Sequence, residues 1–171
     1  MKTKRVLVTA YDPRWPEDFA VIRLELQAVL EKIALAIEHV GSTAVPGMSA
    51  KPIIDIDVVI RDYSVLPEVV SRLEAVGYRY EGDLGIPGRE AFCYEGKNHL
   101  QKHHLYVCPS DSRELHRHIT FRNFLRTHPE EAAAYSAVKE KAARLYPDGI
   151  EDYIRFKSPC IEGIYQKCGL E

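Results

Sequence analysis

Eight consecutive residues limit what this chain can fold into more than any others: Ile53-Ile54-Asp55-Ile56-Asp57-Val58-Val59-Ile60. Branched aliphatics on both faces mark an interior strand, covered on two sides. Side chains alternate across a strand, so Asp55 and Asp57 point the same way, about 7 Å apart. Desolvating a carboxylate costs several kcal/mol, and two like charges repel. A divalent cation compensates both, because hard oxygen ligands suit Mg²⁺ or Mn²⁺. The alternatives are an edge strand with a wet acidic face, or aspartates tied to arginines.

The surrounding periodicities predict an α+β domain: a small mixed β-sheet with helices packed on it and a helical C-terminal section. Short strands are expected at residues 5–10, 36–40, 53–60, 89–94 and 100–108, the last two joined by a hairpin at Gly96-Lys97-Asn98. A long helix follows Pro16, with Phe19, Ile22, Leu26, Val29, Leu30 and Ile33 on one stripe. A second runs from about Leu66 to Ala75 and stops at Gly77. Glu81 to Gly88 reads as a loop. Ser110 or Asp111 can cap the next helix, which bears Leu115, Ile119, Phe121 and Leu125. His128-Pro129 breaks it. Helices over 132–145 and 149–167 follow, with Pro159 expected to kink or divide the last. No repeat or linker interrupts the chain, so residues 1–171 read as a single domain.

Upstream of the aspartates, a strand ends in Gly41-Ser42-Thr43. Glycine lets the backbone approach a ligand closely, and the turn exposes amide donors to an anion. The Ser42 hydroxyl adds another. Alone, Gly-Ser is an ordinary turn. With Asp55-x-Asp57 about a dozen residues on, it resembles the polymerase-β type of nucleotidyltransferase, in which the Gly-Ser turn contacts nucleotide phosphates and the aspartates hold catalytic magnesium.

A narrower resemblance covers nearly the whole chain. Tyr11-Asp12-Pro13-Arg14-Trp15-Pro16, Ile37-Glu38-His39-Val40-Gly41-Ser42-Thr43-Ala44-Val45-Pro46-Gly47 and Lys51-Pro52-Ile53-Ile54-Asp55 are similar to the GrpB family. So are His103-His104-Leu105-Tyr106-Val107-Cys108 and Phe121-Arg122-Asn123-Phe124-Leu125-Arg126-Thr127-His128-Pro129. The resemblance implies a nucleotidyltransferase-like fold, found alone or as a related domain fused to dephospho-CoA kinase. It implies no settled reaction.

Polymerase-β-type enzymes usually carry a third carboxylate on a later strand. Here that strand is Lys102 to Val107, which holds no acid. Leu105 and Val107 are expected to meet the core, and Lys102, His104 and Tyr106 to face the site. His104 is expected near the place of the absent carboxylate; Glu90 and Glu95 on the neighbouring strand are possible substitutes. His99 and His103 read as surface and satisfied-core histidines. Lys51, Arg89, Lys102 and Arg122 are candidate phosphate contacts, whereas Lys139 is expected on a solvated helix face. Trp15 reads as a packing anchor.

The net charge of −2 gives no global field toward nucleic acid or a membrane. Four cysteines without zinc spacing, and no export signal, point to the cytoplasm. Two functions are expected. One is nucleotidyl transfer from a nucleoside triphosphate, with Asp55 and Asp57 catalytic through Mg²⁺. The other is an inactive module that binds a nucleotide or another phosphorylated small molecule.

Overall fold

The computed structural model describes residues 5–170 and contains α1 (Trp15–Leu30), β1 (Ala36–Val40), β2 (Ile54–Ile60), α2 (Leu66–Glu74), β3 (Tyr78–Gly82), β4 (Glu90–Tyr94), β5 (His103–Pro109), α3 (Arg113–Thr127), α4 (Pro129–Leu145) and α5 (Ile150–Lys167). The strands form one mixed sheet in the order β1-β2-β5-β4-β3. Only β2 and β5 run parallel; the other neighbours are antiparallel. This is the predicted α+β architecture, with its helical C-terminal section formed by α3, α4 and α5.

Register assigns every strand residue to a face. Ile54, Ile56 and Val58 lie beside His103, Leu105 and Val107, while Asp55 and Asp57 lie beside His104 and Tyr106. The first face carries the main core, where Ile22, Leu26, Leu30, Val69 and Leu73 from α1 and α2 cover the aliphatic strand residues. Trp15 belongs to this core at the start of α1, as a packing anchor should. The second face carries the acids and is met by α3, where Leu115 packs with Val59 and Cys108.

Several expectations are corrected. Residues 5–10 do not form a strand. Thr9 pairs with Ala50 through an isolated bridge, and the Val6 amide donates instead to the Pro147 carbonyl. Two partners divide this short run, so no ladder propagates. Tyr78–Gly82 is a strand, not the approach to a loop: Tyr78 and Tyr80 point inward on the sheet's edge while Arg79 is exposed. The α3 cap is Ser112, whose Oγ accepts from the Leu115 amide at 3.2 Å. Pro159 sits within a continuous α5 and does not divide it. The connection between β4 and β5 is longer than a tight hairpin, because β5 begins only at His103. Among the described residues, no helix is long and apolar enough to cross a membrane.

Candidate functional site

The site is assembled where β1 ends and β2 begins, against the C-terminal helices. Asp57 lies at the centre of the sheet with its side chain fully buried. One carboxylate oxygen accepts a hydrogen bond of 2.6 Å from Nδ1 of His118 on α3; the other, Oδ1, has no partner. Burial pushes the Asp57 carboxyl above the ordinary carboxylate range, and the His118 hydrogen bond offsets this only in part. Burial also pulls the His118 imidazole down, but its hydrogen bond and charge interaction with Asp57 outweigh that, so its net shift is upward. Asp55, one-third exposed, accepts from Nδ1 of His104 at 2.9 Å.

Gly41 adopts φ +76°, a left-handed conformation that other residues rarely take, and a Cβ there would collide with the Asp55 carboxylate. The glycine therefore allows the chain to turn directly against the acid. A 3₁₀ turn follows at Ser42–Ala44. It is braced from the core side by His39, which is hydrogen-bonded to Thr43 Oγ1 at 2.8 Å and stacked on Phe19. Burial depresses the His39 imidazole to about 4, which keeps it neutral.

The Ser42 hydroxyl meets Nζ of Lys139 at 2.8 Å. Lys139 is only 2% exposed and also lies over the Tyr135 ring. Burial lowers its amine from 10.5 to about 7. Lys157 is lowered to about 8, by burial first and then by Lys51. Lys51 is lowered by burial as well, with Asp55 opposing that shift. Its ammonium and that of Lys157 each lie 4.8 Å from the centre of the Tyr153 ring. These three lysines, Ser42, Asp55 and His104 line a cavity of about 220 Å³. Among the described residues, none of the three lysines makes an ion pair with a carboxylate within 4 Å. Partly buried cations without counterions are costly in an empty cavity and favourable around an anion.

A second hollow of about 150 Å³ lies on the other side of Asp55, lined by Gly41, Arg89, Tyr106 and His118. The Arg89 guanidinium lies 4.3 Å from the Tyr106 ring centre, and its buried Nε has no partner.

Of the residues singled out in the sequence, Gly41, Ser42, Lys51, Asp55 and His104 converge, with Arg89 adjoining and Asp57 beneath. Lys102 is exposed and lines neighbouring pockets, not the lysine cavity. Arg122 is directed elsewhere: its Nη1 binds Glu38 at 2.7 Å and the His39 carbonyl at 3.0 Å. Lys139 is the clear reversal, a buried residue of the cavity and not a solvated one. Glu90 lies in register with Val107, on the core face, and accepts from the Tyr80 hydroxyl at 2.6 Å, so it does not supply the third acid. His103 is buried against Tyr78 and Tyr94, and His99 pairs with Glu25 at the surface, both as expected.

Three site residues escaped the sequence reading: Glu38, His118 and Lys157. Glu38 is the register partner of Asp57 on β1, so a third carboxylate does share the acidic face. It stands on the opposite neighbouring strand from the one expected. Among the described residues, no three His, Cys, Asp or Glu side chains converge as a ready-made metal centre. Asp55 and Asp57 nevertheless fit a magnesium-type cation, which uses one or two carboxylates and completes its octahedron with phosphate oxygens and water. Asp57 Oδ1, buried and without a hydrogen-bond partner, is the observation that bears on this fit.

The GrpB family model matches residues 5–167, and with them both aspartates, the Gly-Ser turn and the three lysines. The chain belongs to the GrpB family. Among GrpB relatives, it is 37% identical over 163 residues to UPF0157 protein PA4798 of Pseudomonas aeruginosa, covering 94% of this chain and 66% of that protein. It is 33% identical to UPF0157 protein YqkA of Bacillus subtilis over 93% of this chain and 46% of that one. The chain thus spans between about half and two-thirds of the length of these relatives. A dephospho-CoA kinase of Mycolicibacterium paratuberculosis matches at 28% identity over 44% of its length, in keeping with a GrpB-like fused domain. The crystal structure of GrpB from Enterococcus faecalis superposes with a TM-score of 0.80 at 32% identity, covering 94% of this chain and 98% of that one. The Cid1 poly(U) polymerase bound to MgATP superposes with a TM-score of 0.54 at 10% identity, over 76% of this chain and 42% of that one. That likeness shows a nucleotidyltransferase fold.

Proposed function

We propose that this chain binds a nucleoside triphosphate together with Mg²⁺ or Mn²⁺, and transfers its nucleotidyl group to an acceptor in the cytoplasm. The observation that carries the reading is the lysine cavity beside Asp55. Lys51, Lys139, Lys157 and the Ser42 hydroxyl supply donors for a polyphosphate, and Asp55 lines the same space. Arg89 adjoins on the other side of Asp55. The cation held by Asp55 and Asp57 would supply neutralisation of charge at the transferred phosphorus. The protein's own part is positional: Gly41 brings the turn onto the acid, and the lysines orient the phosphates. Cid1, whose fold is shared, has been seen with MgATP bound.

A second reading, an inactive binding module, is favoured by one feature. Helix α3 places His118 on Asp57 and Arg122 on Glu38, occupying two of the three acids on this face.

A thermal-shift panel of ATP, GTP, CTP and UTP, with and without Mg²⁺, tests binding. A ligand at 100 times its dissociation constant stabilises by about 2.7 kcal/mol. The expected result is a magnesium-dependent shift that Asp55→Asn and Lys139→Met remove. No shift with any triphosphate would sink the proposal. A shift without pyrophosphate release in the presence of small-molecule and protein acceptors would favour the binding module.

A further inference from the structure

Behind the lysine cavity lies a larger pocket of about 680 Å³, which no feature of the proposed nucleotide site requires. It is within the size range of small-molecule sites, roughly 300–1,000 Å³. Its floor is apolar, made by Val6, Pro52, Ile53 and Ala143. Its rim carries Arg5, Lys51, Lys102 and Arg144, and among the described residues no aspartate or glutamate lines it. Among the described residues, none of these four cations makes an ion pair within 4 Å. Lys51 and Ile53 also line the lysine cavity, so the two spaces adjoin through these two residues.

We propose that this pocket is a second ligand site, for a small amphipathic anion. The carboxylate or phosphate head lies among Lys51, Lys102, Arg144 and Arg5, and a short apolar body lies on Val6, Pro52, Ile53 and Ala143. Charge complementarity selects the class. A cation of the same shape meets four like charges, and a neutral alcohol leaves them unpaired. A highly charged polyphosphate gains nothing from the apolar floor, which separates this site from its neighbour. The sequence dispersal of the pocket explains why no motif announced it. Its parts come from the segment before α1, from the approach to β2, from the residue preceding β5 and from the end of α4.

The test is calorimetric titration of the full chain with octyl phosphate below its micelle concentration, compared with octanol, octyltrimethylammonium and inorganic phosphate. One-to-one binding is expected for octyl phosphate, with the other three weaker by about tenfold or more, equivalent to 1.4 kcal/mol. Arg144→Glu should weaken octyl phosphate by a similar factor, while Arg144→Lys retains it. Arg144 is exposed, so both variants are expected to fold, and circular dichroism checks this. Equal binding of octanol, or indifference to Arg144→Glu, overturns the proposal. So does binding to vesicles of anionic phospholipid without binding of monomeric octyl phosphate, which would make the face a membrane-docking surface. The magnesium-dependent thermal shift with ATP is read in parallel. It should survive Arg144→Glu, so failure here and failure of the nucleotide reading are told apart.

Discussion

Replacing Lys139 by methionine should make the protein more stable, and by an amount that depends on pH. In the unfolded chain the amine titrates near 10.5; in the folded protein, burial brings it to about 7. Between these values the unfolded chain binds more protons, so the stability of the wild type rises with pH across that window. Below pH 7 the charge is present in both states and the whole burial cost applies, about 5 kcal/mol for a shift of this size. At pH 7.5 the folded amine is mostly neutral, and releasing its proton still costs about 4 kcal/mol. Methionine has similar length and no charge. It gives up the hydrogen bond to Ser42 and the contact with the Tyr135 ring, together worth about 1–2 kcal/mol. The expected gain at pH 7.5 is therefore about 2–3 kcal/mol, or roughly 5–10 °C in melting temperature for a chain of this length.

Urea and thermal melts of both proteins, without ligand, from pH 6.5 to 9.5 measure this. The advantage of Lys139→Met should be greatest at the acidic end and shrink as pH approaches 10. Lys157 is also depressed, by burial first, and its charge is the second cause of the Lys139 shift, so the difference reads the burial of the Lys139 amine together with that repulsion. A variant that is no more stable than wild type at pH 7.5, or an advantage that does not change with pH, would refute the reasoning. Lys139 would then be a solvated or well-paired lysine after all.

Two further perturbations probe the opposite side of the cavity. Gly41→Ala forces a methyl group toward the Asp55 carboxylate at φ +76° and ψ −175°; it should cost about 1–3 kcal/mol from the backbone alone, and abolish the magnesium-dependent thermal shift, with both read in one melting experiment. His118→Ala removes the partner of a fully buried carboxylate. Because the folded His118 is raised above its ordinary 6.5, its contribution is fully present below pH 6.5 and is lost as pH rises through the folded value; the variant should thus be further below wild type at pH 5.5 than at pH 8.5, and equal deficits at both pH values would contradict the pairing.

The sheet half of the site was legible in the sequence for a simple reason. A period of two assigns faces without tertiary information, so Asp55 and Asp57 could be placed together from alternation alone, and His104 joined them through alternation plus the later site strand that the nucleotidyltransferase resemblance implies. Gly41 was legible because few residues tolerate its backbone. The same rule failed at Glu38, although it lies inside a recognised motif, because alternation gives a face and not a neighbouring strand. Strand order was needed to set it opposite Asp57. Arg122 was misjudged because charge suggested a ligand contact, whereas Glu38 had already claimed its guanidinium. Tyr78–Gly82 was missed because four alternating residues between two glycines resemble the end of a helix and the start of a loop.

The remaining misses share a pattern that was present in the sequence. Each C-terminal helix carries a polar residue on the stripe that its period reserves for the interior. On α4, Ala132, Tyr135 and Ala142 are buried, and Lys139 falls on the same stripe. On α5, Tyr153 and Ile164 define a stripe that includes Lys157. On α3, Leu115 and Leu125 define one that includes both His118 and Arg122. A lysine on a polar face is ordinary; a lysine spaced three and four residues from buried apolar neighbours is a statement that something pays for its charge. Two of the cavity's three lysines thus come from the helices, the third from the segment before β2, and the acids from the sheet. An anion entering between them meets Asp55 as well as the lysines, and a bare phosphate would be repelled by that carboxylate. A divalent cation between carboxylate and phosphate removes the repulsion. On the proposed reading, this is why the acids and the lysines line one cavity, and why nucleotide binding should require the metal.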